Sequence, residues 1–199
     1  MSDYPKAEPV FRAWVVPGGR MMVRKTDGAV GYDVYFRAIV HHTRKDPLNE
    51  NLRQTLYDFG SHVDPSIKPY VQEYDFDDGR GPQKVVRLDP GRWLHCAIGV
   101  VLEIEFPYYG DLRPRSGLAS KGVTMVNTPG TIDPDYRGEA CAILTNISPE
   151  PYFLERDERI GQMLILRANV PTFDVVDDYS ELTQTIRATG GFGSTGRMG

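Results

Sequence analysis

The stretch from Gly130 to Glu139, GTIDPDYRGE, constrains what this chain can fold into more than any other. It lies between apolar runs too short for helices, with Pro134 set between Asp133 and Asp135 and Gly138 shortly after. Proline has its φ already fixed for the first central position of a turn, aspartate bonds the turn backbone, and glycine opens the pair without a steric penalty. The pattern predicts a strand, a tight turn and a second strand, with two acids presented at the bend.

Most of the remaining chain has β texture. Residues 10 to 16 (VFRAWVV) and 29 to 40 (AVGYDVYFRAIV) are rich in aromatic and β-branched residues, with a turn at Pro17, Gly18 and Gly19 between them. Asp33 interrupts the second run with a carboxylate. Residues 85 to 105 form further strands around a turn at Asp89, Pro90 and Gly91, residues 140 to 144 are an apolar strand, and RIGQMLILR (159 to 167) is a strand whose odd polar residue is Gln162. With 199 residues and 40% hydrophobic content, one core and one domain over residues 1 to 180 are expected.

Residues 43 to 84 read differently and are taken as an insertion. Asp46 and Pro47 form a cap and first-turn pair, Leu48, Leu52, Leu56, Phe59 and Val63 recur at helical spacing, and Gly60 is a stop, so an amphipathic helix is expected. The rest of the insertion, through the acidic YDFDDGRG run, reads as mostly irregular.

The formal charge of −4 provides no global field for a polyanion, so a phosphate ligand must be captured by local groups. Cys96 and Cys141 lack metal spacing and sit among apolar neighbours as reduced core residues, and His41, His42, His62 and His95 form no ligand pattern with them. No apolar run is long enough for a membrane span, and the N-terminal residues have neither export nor transit character; a cytoplasmic location is expected.

Two further pieces carry chemistry. Arg115, Ser116, Gly117 and Leu118 open a short helix whose free N–H groups lie beside a guanidinium, an arrangement suited to anions. Residues 181 to 199 are a glycine-rich arm in which Phe192 is followed by Gly193, Ser194 and Thr195, suited to closing over a base and its phosphates.

Five segments in this order, GYDV (31 to 34), RSGLA (115 to 119), GTIDPDYRGE (130 to 139), RIGQMLI (159 to 165) and GGFGSTG (190 to 196), resemble the five motifs of the trimeric dUTPases. The resemblance covers about three quarters of the chain once residues 43 to 84 are set aside. It implies an all-β, jelly-roll-like subunit with one short helix after the second motif, and a homotrimer with three shared sites. It also implies hydrolysis of dUTP to dUMP and pyrophosphate, which limits uracil incorporation into DNA and supplies dUMP.

Residue by residue, the resemblance makes Asp133 the carboxylate that activates the attacking water, with Gln162 near the α-phosphate. It places Asp33 near Mg²⁺ through water, the ion itself being held mainly by substrate phosphates. Asn127, Gly130, Ile132, Tyr136 and Phe192 surround the base and sugar. Arg115, Ser116, Gly117, Gln162, Arg187, Gly193, Ser194 and Thr195 bind the phosphates.

The related dCTP deaminases carry a catalytic glutamate where this chain has Ile143, and an arginine where it has Ser120, so deamination is not expected. Val34 and Gly161 are small departures from the dUTPase pattern. The insertion leaves two other readings open: a regulatory protein docking a partner through Tyr57, Phe59, Tyr70, Tyr74 and Phe76, or a preference for a modified pyrimidine.

Overall fold

The computed structural model describes residues 10–186 and 188. Strands dominate: β1 (Arg12–Val15), β2 (Tyr32–Tyr35), β3 (Ala38–Lys45), β4 (Arg53–Tyr57), β5 (Val71–Tyr74), β6 (Gln83–Leu88), β7 (Trp93–Ala97), β8 (Val100–Glu103) and β9 (Tyr108–Arg113) precede one short helix, α1 (Ser116–Ala119). After it come β10 (Val123–Met125), β11 (Gly130–Ile132), β12 (Cys141–Asn146), β13 (Tyr152–Glu155) and β14 (Arg159–Arg167).

The pairing is antiparallel throughout these strands, in sheets ordered β10-β12-β7-β3-β4, β11-β9-β14-β2, β13-β6-β5 and β1-β8. Inward-facing residues such as Phe36, Ile39, Leu112, Leu144 and Met163 are buried in one core. The all-β, jelly-roll-like expectation is met. The compact main unit runs to Ala168, and a second unit begins at Asn169. Its 3-10 turn at Tyr179–Glu181 is capped by Asp178, which accepts from Ser180 N–H while its own N–H donates to Glu181.

Three expectations are corrected. The helix expected from Asp46 is instead the loop and second strand of a hairpin. Asp46 Oδ1 accepts the N–H groups of Leu48 and Asn49, and Asp46 N–H donates to Leu52 O across the loop. An aspartate that caps a helix makes the same local bonds in a turn. Leu48, meant for the buried face, is 97% exposed, while Leu56 and Tyr57 at the end of β4 are buried.

The remainder of 43 to 84 is also more ordered than expected, since β5 pairs with β6 and β3 runs on to Lys45. Three of its aromatic residues are engaged within the fold. Tyr57 is buried, Phe59 meets Phe36 edge-on, and Tyr74 stacks on Phe153 with centroids 4.0 Å apart.

Lastly, Gly130–Glu139 is not a ladder hairpin. β11 pairs with β9, whereas β12 pairs with β10 and β7, so the segment is an arch between two sheets. The turn itself is as expected, with Tyr136 N–H donating to Asp133 O around Pro134 and Asp135.

Candidate active site

The arch is fixed by side chains that replace the missing ladder. Asn127 donates through Nδ2 to Cys141 O (3.1 Å) and accepts from Ile143 N–H (2.9 Å), bonding to β12 as a neighbouring strand would. Glu139, 2% exposed, accepts two hydrogen bonds from Arg37 (2.7 and 2.6 Å) and one from Gly99 N–H (2.7 Å). A buried carboxylate is tolerated only when paired and hydrogen-bonded in this way.

Tyr136 donates its hydroxyl to Glu139 O (3.1 Å), and its ring lies over Gly138, where a Cβ would come within 2.6 Å of Tyr136 Cζ. That close approach, rather than an unusual φ, accounts for the glycine. Gly130 is confined similarly, since a Cβ there would meet Asn127 O at 2.9 Å.

Between the arch and β12 lies a cavity of about 210 Å³, lined by Asn127, Ile132, Asp133, Tyr136, Cys141 and Ile143. Ile143 thus turns an apolar side chain toward the space, supplying no proton donor there. Cys141, partly buried against Ala38, Val40 and Ala97, also lines the pocket; burial, then the nearby Glu139, pushes its thiol up to about 12. Two further lining residues, Arg53 on β4 and His95 on β7, were not anticipated from sequence. Burial and the charge of Arg53 hold His95 below the ordinary histidine range, so it is neutral at pH 7.

A second group of predicted residues gathers on the other edge of the sheet. Asp33, 7% exposed on β2, pairs with Arg159 Nη1 (2.9 Å) and Arg115 Nε (3.3 Å), and Arg115 Nη1 donates to Arg159 O (3.3 Å). Asp33 therefore orients the guanidinium in front of α1. Arg115 is the N-cap of α1; Ser116 and Gly117 are exposed, and Leu118 anchors the turn in the core.

Gln162 on β14 pairs in register with Asp33. Gly31 gives it room: a Cβ there would stand 2.6 Å from Gln162 Oε1. Gly161 has a comparable reason, because a Cβ would run into Met125 Cε and lie 3.0 Å from Arg113 O. Arg159, Glu139 and Arg37 were missed in sequence because each acts by pairing with a residue distant along the chain.

The two groups do not meet within one chain. β11 and β2 are opposite edges of the sheet β11-β9-β14-β2. Three strand spacings of about 4.8 Å put them roughly 14 Å apart. Arg187, Phe192, Gly193, Ser194 and Thr195 lie outside the described residues.

Known proteins are similar to this chain in sequence and in fold. The dUTPase family model matches residues 84–196. The deoxyuridine 5'-triphosphate nucleotidohydrolase of Rhizobium etli is 36% identical over 165 residues, covering 79% of this chain and 98% of the relative. Among solved structures, the dUTPase of Staphylococcus bacteriophage 80alpha with dUpNHpp superposes with a TM-score of 0.63 at 18% identity, covering 96% of this chain and all of that one. A dUTPase of phage phi11 of S. aureus, described with a structural Mg(II) ion, gives a TM-score of 0.58 at 16% identity, covering 86% and 99%. The arch, Arg115, Arg159 and Gln162 lie within the family-matched residues, and the chain belongs to the dUTPase family.

Proposed function

We infer that this chain hydrolyses dUTP to dUMP and pyrophosphate through attack of water at the α-phosphorus. The observation that carries the reading is the arch pocket, a single-ring space whose nearest side-chain amide and hydroxyl are already committed to the backbone. By resemblance to the family, backbone N–H and C=O groups of the arch match the carbonyl–NH–carbonyl edge of uracil. Cytosine inverts part of that pattern and would leave buried groups unpaired, which is a strong rejection.

Asp133 stands at the pocket mouth as the acid that orients and deprotonates the attacking water, with Gln162 beside the α-phosphate. Tyr136 packs against the deoxyribose, its ring held by Gly138 and Glu139 O. Arg115 and the exposed start of α1, Ser116 and Gly117, receive the phosphate chain, with Asp33 acting as a positioning residue behind the guanidinium. Arg187, Gly193, Ser194 and Thr195 bind phosphates and Phe192 covers the base from the arm.

Asp33 has both carboxylate oxygens engaged by arginines, which fits a role behind the metal rather than as its ligand. Mg²⁺ supplies charge neutralisation on the triphosphate when bound. The separation of about 14 Å between the arch and the Asp33 group favours a site completed across subunits of a homotrimer. Among the described residues no helix is long and apolar enough to cross a membrane, and we place the enzyme in the cytoplasm.

The test is pyrophosphate release from dUTP, dTTP, dCTP and UTP, with Mg²⁺ or chelator, for wild type and Asp133→Asn. Release from dUTP that needs Mg²⁺ and vanishes in the variant supports the reading. Intact dUTP, or preference for another nucleotide, would falsify it.

A further inference from the structure

One wall of the base pocket comes from outside the segments that mark the family. Arg53 belongs to β4, in the hairpin of the insertion and ahead of the family-matched residues 84–196, yet it lines the pocket with Asn127, Ile132 and Tyr136.

Thr131, Asp133 and His95 also line the cavity, but among the described residues Arg53 is its one permanently cationic side chain. Asn127 has one amide atom on Cys141 O and the other on Ile143 N–H, and the Tyr136 hydroxyl is on Glu139 O. Arg53 is tethered by a single bond from Nη1 to His42 O (2.9 Å), and among the described residues its guanidinium makes no ion pair. Its remaining N–H groups are available to the cavity. The neighbouring His95 is neutral, so the charge on this wall is that of Arg53.

Arginine is a donor only, and it stays charged at any working pH. The 4-carbonyl of uracil lies across the ring from the glycosidic bond, so it enters a pocket furthest and meets a wall there as an acceptor. Cytosine carries an amino group at that position, which would set donor against donor.

We propose that Arg53 is a specificity-determining residue, donating from β4 to the 4-carbonyl oxygen of the pyrimidine held by the arch. This rests on the dUTP-hydrolase reading and adds to it a discriminating group that the five motifs lack. The consequence is that selection against cytosine is shared between the arch backbone and the insertion.

The test compares Arg53→Met and Arg53→Lys with wild type, using kcat/KM for dUTP, inhibition constants for dCTP and dTTP, equilibrium affinity for dUMP, and thermal melting. Losing a hydrogen bond from a charged donor should lower kcat/KM for dUTP about ten- to hundredfold in Arg53→Met, through KM rather than kcat. Thymine shares the 4-carbonyl, so dTTP should weaken in parallel. The dCTP inhibition constant should hold or improve, and Arg53→Lys should keep part of the preference.

A merely structural role would weaken all three nucleotides together, and that result, or values within twofold of wild type, overturns the proposal. Should Arg53→Met not fold, Arg53→Lys and Arg53→Gln give the same comparison. A wild type that leaves dUTP intact overturns the hydrolase reading, and dUMP affinity equal in wild type and variant then overturns this inference separately.

Discussion

The arch and the Asp33 group are built by different means. Around the arch, polar side chains are committed inside the fold: Asn127 to the backbone of β12, Tyr136 to Glu139 O, and Glu139 to Gly99 N–H and to the buried Arg37 behind the arch. In the Asp33 group charge faces charge, and Arg115 is only partly buried where a phosphate can reach it. The first construction fixes shape, which suits recognition of a neutral base. The second fixes the direction of a charge, which suits a triphosphate. Recognition and chemistry should therefore fail separately when one or the other is damaged.

The sharpest break is Glu139→Ala. It strands Arg37 without its buried partner, which costs about 3–5 kcal/mol. Denaturant unfolding should register most of that loss, and a stability within about 1 kcal/mol of wild type would contradict the role given to the pair. Asp33→Asn should instead leave the fold near wild type and reduce kcat up to about a hundredfold, since a guanidinium displaced by an ångström serves poorly. If dUMP affinity fell in that variant as steeply as kcat, the division of labour would be wrong.

Asn127→Ala removes two bonds to β12 and should cost about 1–3 kcal/mol, with weaker dUMP binding as the companion effect. Unchanged affinity would show that the arch holds its form without the amide.

Titration of His95 gives a smaller effect. Its proton affinity is lower in the folded chain, so the unfolded state binds more protons below about 6.5. Stability is fully present above that pH and declines as pH falls through the range. The melting temperature should drop on acidification below pH 6.5, with a shallower slope in His95→Gln; an unchanged slope removes His95 as the cause. Smallest is the effect at Cys141, whose thiol, pushed up to about 12, should resist alkylation at pH 8 until the protein unfolds. Rapid native labelling would contradict its burial.

What was legible in the sequence follows the same division. The turn at Asp133–Tyr136 and the start of α1 rest on local chemistry, because proline, glycine and a short polar side chain restrict a few neighbouring dihedrals. The residue sets Asp33, Arg115 and Gln162, and Asn127, Asp133 and Tyr136, were readable through their motifs. β4 was not, because Leu48, Leu52 and Leu56 satisfy a helical period as well as a strand's ends do, and only pairing with β3 decides. Arg53 went unnoticed with it. Glu139 lay in full view within the motif, but its role depends on Arg37 and Gly99, which no local pattern joins to it.

The sheet that sets the arch and Asp33 on opposite edges also governs how damage is inherited. Two crippled versions of this gene, one carrying Asp133→Asn and the other Arg115→Ala, need not give a crippled cell. If sites form across subunits of a trimer, random mixing leaves about a quarter of them with an intact arch facing an intact arginine. Each lesion would then behave as recessive to the other, whereas a monomeric enzyme with the same two lesions would recover nothing.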